Sequence, residues 1–123
     1  MKHIVTLFAV LQIIAGLGML FVPDAFLTFE ASGASDANVV AQLVGAAFIG
    51  FGAANWIARA APLGGIYGRA VVVGNQAFSL IGSLILLTNI PTDPPVGFWL
   101  VLLLLVSAAI LHGSLLIKRP SKP

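Results

Sequence analysis

The 123-residue chain contains no cysteine, which excludes a disulfide framework, a thiol redox centre and a cysteine-ligated metal, and leaves the redox compartment unspecified. Charge is scarce as well. Only 8% of residues are Asp, Glu, Lys or Arg, against roughly a quarter in an average soluble domain. The net charge of +2 and the pI of about 9.5 would suit a nucleic-acid binder, but the basic residues never cluster among aromatics as a binding face requires. Nucleic acid is therefore set aside as a partner. Only two histidines occur, His3 and His112, too few and too far apart in sequence for a metal-ligand motif or a Ser/His/Asp set. GIYG and GLG lack the strand, lysine and spacing of a phosphate loop. The sequence nominates no catalytic residue, no metal site and no cofactor.

Hydrophobicity is what the chain does have, at 59% of residues. Four apolar stretches, about Ile4–Val22, Val39–Ile57, Ala70–Asn89 and Phe98–Ile117, each approach the ~20 residues that a helix needs to cross a ~30 Å hydrocarbon core. Pro23 closes the first, Pro62 with Gly64 and Gly65 the second, and IPTDPPVG the third, since proline lacks an amide donor and glycine loosens the chain. The first stretch is longer than the ~7–15-residue core of a signal segment. Gln12, Gly16 and Gly18 interrupt it, so it reads as a spanning helix. The expectation is one domain over residues 1–123, an all-α integral membrane four-helix bundle.

Lys2, Arg59, Arg69, Lys118, Arg119 and Lys122 fall at the N-terminus, between the second and third spans, or in the C-terminal tail, all on one side of a four-span chain. Asp24, Glu30, Asp36 and Asp93 fall in the other two loops. The positive-inside rule then predicts that both termini are cytoplasmic, with Trp56 and Tyr67 at the inner interface and Trp99 at the outer one. Arg59 and Arg69 are expected to contact anionic headgroups, an attraction of ~1 kcal/mol per basic residue near the surface. The outer segment PDAFLTFEASGASDAN opens on Pro23 and carries Phe26, Leu27 and Phe29. It reads either as a short interfacial helix or as a loop tucked onto the bundle.

Lipid tails are as apolar as leucine, so helices associate in a membrane through close packing and hydrogen bonds. Small residues mark the contact faces. Ala46, Gly50 and Ala54 recur at four-residue spacing, Gly16 lies one turn beyond Gln12, and Gly82 shares a face with Asn75 and Ser79. These positions are expected to pack helices within the chain or, alternatively, to form a homodimer seam.

The polar residues inside the spans pose the main question. Gln12, Asn55, Asn75 with Gln76, and His112 all fall in the inner half of the bilayer, one set on each span, whereas the outer half holds mainly Gln42 and hydroxyls. Two readings of this layer stand. Amides and an imidazole can bond across helices and fix their register, or they can line a pocket for the polar head of a lipid-like or quinone-like molecule. Adjacent residues diverge by about 100° on a helix. Asn75 and Gln76 therefore cannot serve one partner equally well, so one can face the bundle centre while the other reaches headgroups or a neighbouring subunit. With no carboxylate in any span, His112 lacks the series of ionisable groups that a proton relay uses.

GLGMLFVPDAFLTF, followed by LVGAAFIGFGAANWIAR and then by Arg69 opening the next span, resembles small, mostly uncharacterised bacterial four-helix membrane proteins of the DoxX-like group. The resemblance covers most of the chain and implies a four-helix bundle in a bacterial plasma membrane. Some DoxX-like proteins are associated with quinone-linked redox complexes. No redox motif and no family site residue carries over to this sequence. The leading expectation is a non-catalytic membrane protein that binds a lipid-like or quinone-like molecule, or a partner subunit, through the polar layer of Gln12, Asn55, Asn75, Gln76 and His112. A small oligomeric transporter is the second reading and an intramembrane enzyme the third.

Overall fold

The computed structural model describes residues 1–27, 34–61 and 64–118, without the side chains of residues 34–37, 66 and 67. The described chain is all-α: α1 (Lys2–Phe21), a 3-10 turn (Pro23–Ala25), α2 (Ala34–Ala58), α3 (Gly65–Thr88) and α4 (Val96–Ile117). All four helices are long and apolar enough to cross a membrane. Their outward faces fit that setting, since Leu7, Ile14, Leu43, Leu84, Leu103 and Ile110 are all exposed. Soluble monomers do not display apolar surface on this scale.

Local chemistry sets the helix ends. Val22 leaves the helical region and donates its N–H to the Gly18 carbonyl at 2.8 Å, and Pro23 has no N–H with which to continue the ladder. Pro95 precedes α4 in extended backbone, a geometry that proline favours just before a helix. Gly65 opens α3 with φ of +68°, a left-handed conformation that glycine adopts without steric cost. α2 and α3 begin at Ala34 and Gly65, about one turn before the apolar stretches at Val39 and Ala70, because hydropathy marks the edge of the bilayer and not the end of the helix.

The helices form two hairpins joined differently within and between. α1 and α2 meet backbone to backbone. A Cβ at Gly16 would lie 2.6 Å from the Gly45 carbonyl oxygen, one at Gly45 would lie 2.8 Å from the Gly16 oxygen, and one at Gly52 would lie 2.9 Å from the Ala9 oxygen. α3 and α4 form the second hairpin, with Gly82 accommodating Leu105. Between the hairpins contact is thinner and made by bulky side chains. Phe78 meets Phe48 edge-on at 5.3 Å and stacks on Phe51 at 4.7 Å, while Met19, Phe98, Val101 and Leu105 fill the centre.

The expectation that Ala46, Gly50 and Ala54 pack helices within the chain is corrected by the exposure of this face. Ala46 and Gly50 are exposed, Ala54 is only half-buried, and no atom lies within 4 Å of a Cβ built at Gly50. The inward face of α2 instead carries Ala41, Gly45, Phe48, Gly52 and Asn55, all buried. At about 100° per residue, Ala46 and Gly50 lie on the side of the helix opposite Asn55. The inward faces of α1 (Val5, Ala9, Gln12, Gly16, Met19) and α2 both alternate steps of four and three residues, the seam of a left-handed helix pair.

The 3-10 turn fastens the end opposite the termini. Phe26 lies over bare Gly18, and Gly97 at the start of α4 admits the Ala25 carbonyl where any Cβ would clash. Leu27 is buried, so the described part of this segment is tucked onto the bundle; Phe29 lies outside the described residues. Trp56 and Trp99 are exposed near opposite ends of the bundle, and the Tyr67 side chain is outside the described set.

The contrast between the two α2 faces is directly testable. Gly16→Leu forces a side chain into the α1–α2 contact and should destabilise the protein by about 1–3 kcal/mol or more, whereas Gly50→Leu should change stability by less than about 0.5 kcal/mol. Reversible unfolding in mixed micelles measures both.

Candidate functional site

The polar side chains inside the bundle divide into a connected cluster and two outliers. Gln12, Asn55 and Asn75 come from three different helices and are 2%, 2% and 1% exposed. Asn55 and Asn75 form a reciprocal amide pair: Asn55 Nδ2 donates to Asn75 Oδ1 at 2.8 Å, and Asn75 Nδ2 donates back to Asn55 Oδ1 at 3.1 Å. Gln12 closes the ring. Its Oε1 accepts from Asn55 Nδ2 at 2.7 Å, and its Nε2 donates to Asn75 Oδ1 at 3.3 Å. Asn75 Nδ2 makes a second bond to the Val71 carbonyl at 2.9 Å. Both hydrogens of each asparagine are thereby used, and both lone pairs of Asn75 Oδ1 are taken.

The helix geometry brings these residues together. Cα–Cβ bonds tilt toward a helix's N-terminus, so Gln12 on α1 and Asn55 on antiparallel α2 lean toward each other. Bare Gly52 beside Ala9 keeps the two backbones close at this level. Asn75 reaches them from α3 and is the point at which the second hairpin bonds to the first. Ser79 donates its hydroxyl to the Asn75 carbonyl on its own helix, and Ser83 and Ser114 likewise bond back to Leu80 and Leu111 at 2.9 and 2.7 Å. These hydroxyls therefore extend no network between helices.

Gln76 and His112 stand apart from the cluster. Gln76 turns toward α4, where a Cβ at Gly113 would lie 3.5 Å from its amide. Its Oε1 is buried without a hydrogen-bond partner. The second amide of the pair is thus half-buried beside α4, in the α3–α4 hairpin. His112 is 1% exposed, and its Nδ1 is 2.8 Å from the Ala108 carbonyl. A carbonyl only accepts, so Nδ1 carries a proton that it donates within α4. No bond from His112 to the amide cluster is present among the described contacts. No group of three or more His, Cys, Asp or Glu able to hold a metal occurs among the described residues.

Cavities lie elsewhere. One trough of about 610 Å³ follows the α2–α3 seam, lined by Val44, Phe51, Gly74, Phe78 and Gly82 among others and by no polar side chain. A second, of about 410 Å³, follows the α1–α4 seam between Phe8, Leu11, Ala15 and Leu104, with Ser107 at its wall. Leu27 and Phe26, beside the 3-10 turn, line the two troughs respectively. Neither is lined by Gln12, Asn55, Asn75 or His112. The arginines differ in turn. Arg59 donates to the Trp56 carbonyl and sits 4.2 Å over the centre of its ring, whereas Arg69 is exposed and borders an open depression of about 740 Å³.

Compared with known proteins, the chain matches no family model, no curated protein and no solved structure. Sequence reasoning singled out the three clustered amides but not Gly45, Gly52, Gly74 or Gly97. Asn55 itself was the usable signal, because the face that carries a buried amide is the inward one, and Gly52 and Gly45 share it.

Two measurements separate the amides. A double-mutant cycle on Asn55→Ala and Asn75→Ala should give a coupling of about 0.6–1.7 kcal/mol, the range for bonded polar pairs inside membranes. Gln76→Leu should be neutral or stabilising in the same unfolding assay, because it removes a buried acceptor that has no partner.

Proposed function

We propose that this chain is a non-catalytic integral membrane protein that binds a lipid-like or quinone-like molecule in the apolar seams between its two hairpins. The observation that carries the reading is the pair of troughs, about 610 and 410 Å³, of the elongated apolar kind that a hydrocarbon or isoprenoid tail fills. The amide layer has a different part from the one its composition suggested. Its groups bond one another and so hold the hairpins together at one level, leaving the seams as the open surface. A tail in either seam would lie against Phe78 or Phe26 and would exchange with bulk lipid from the side.

The membrane in this proposal is a bacterial plasma membrane with both termini in the cytoplasm. All six basic residues of the sequence lie on the side of the termini, which supports the orientation.

Photolabelling tests the reading. A membrane-soluble probe with a diazirine in its tail, in lipid-like and quinone-like versions, should label Val44, Phe78, Ala15 and Leu104 well above the outward residues Leu84 and Ile110. Equal labelling of seam and outward residues would contradict seam binding.

A further inference from the structure

The α2–α3 trough differs from the α1–α4 trough in what lies at its end. Gly74 lines both the apolar trough and the open depression that Arg69 borders, so the two meet on the surface of α3. A Cβ at Gly74 would lie 3.4 Å from the edge of the Phe51 ring. The absent side chain therefore keeps a passage open between the cationic mouth and the Phe51–Phe78 wall. From Gly74 to Leu86 the trough follows α3 for about 18 Å at 1.5 Å per residue, longer than the ~15 Å half-thickness of a hydrocarbon core. One lipid tail fits at full length.

Charge selects what enters. Arg69 sits in the first turns of α3, where the apolar span begins, and it has no hydrogen bond or ion pair among the described residues. Arg59, the other arginine among the described residues, already has its guanidinium on Trp56. No basic residue lines the α1–α4 trough. A guanidinium presents paired donors to a phosphate oxygen pair, and a free one at the mouth of a tail-length apolar trough complements an anionic amphiphile.

We propose that the α2–α3 seam is a discrete site for one anionic membrane phospholipid, with its phosphate on Arg69, one tail passing over Gly74 and along Phe51 and Phe78, and no such selectivity in the α1–α4 seam. This rests on the seam-binding reading above and adds to it the headgroup, the residue that reads it and the choice of seam.

Native mass spectrometry of the full chain, purified in an uncharged detergent and titrated with phosphatidylglycerol or phosphatidylcholine of identical tails, tests it. The unmodified protein should retain one phosphatidylglycerol with roughly fivefold preference over phosphatidylcholine, the contribution of one basic residue near an anionic surface. Arg69→Gln should erase the preference, lowering phosphatidylglycerol retention more than phosphatidylcholine retention. Arg59→Gln should leave the preference intact. Gly74→Leu should reduce retention of both lipids, and since that variant alters a helix face, Arg69→Gln at an exposed position carries the decision. Equal retention of both lipids by the unmodified protein, or a preference that survives Arg69→Gln, would overturn the headgroup site while seam binding stands. Retention of neither lipid would overturn the phospholipid site, and the photolabelling with lipid-like and quinone-like probes then decides seam binding separately.

Discussion

Hydrocarbon offers an amide no partner, so each polar side chain in a spanning helix must find one inside the protein or carry the cost of leaving water unpaired. The ring formed by Gln12, Asn55 and Asn75 meets that requirement with side chains from three helices and one bond to the Val71 carbonyl. Asn75 is its pivot, because it contributes the only α3 side chain and bonds to both members of the first hairpin. Individual bonds of this kind are weak inside membranes, about 0.6 kcal/mol on average. Their value here is positional: amides from three helices saturate one another only when all three stand at one height and one rotation.

Around that ring the two kinds of helix contact divide the work. α1 and α2 approach through Gly16, Gly45 and Gly52, where missing side chains let backbones touch and dispersion contacts accumulate along the pair. The hairpins meet through Phe48, Phe51, Phe78, Val101 and Leu105, whose bulk keeps the backbones apart. Large side chains meeting across a gap leave troughs beside them, so the seams are a consequence of how the hairpins are held. At the other end, the Ala25 carbonyl at Gly97 and Phe26 over Gly18 fasten the first hairpin to the second by a contact that needs no hydrogen bond.

Much of the architecture was legible because hydropathy and proline punctuation are local signals: α1, α3 and α4 end within one or two residues of where the apolar stretches end. The starts of α2 and α3 were not, since a helix continues into water as long as its backbone ladder does. The depth of the three amides could be read from helical rise alone. Their partners could not, because rise fixes height and leaves rotation open; Gln76 is the instructive case, lying one residue from Asn75 and yet serving the other side of α3. As a contact within the chain, the Ala46–Gly50–Ala54 repeat misled for the same reason. Four-residue spacing of small residues defines a stripe without saying which way it faces, and the rotation was set instead by Asn55, whose amide had to be buried.

The absence of cysteine makes the central claim, that the amide ring joins the two hairpins, open to a clean distance measurement. Spin labels at cysteines introduced in place of Leu43 on α2 and Ile110 on α4, both outward-facing, report the separation of one hairpin from the other. A narrow distance distribution that broadens or shifts when Asn75→Leu removes the pivot is the predicted result. A distribution that stays equally narrow without Asn75 would contradict it and leave side-chain packing as the sole link between the hairpins.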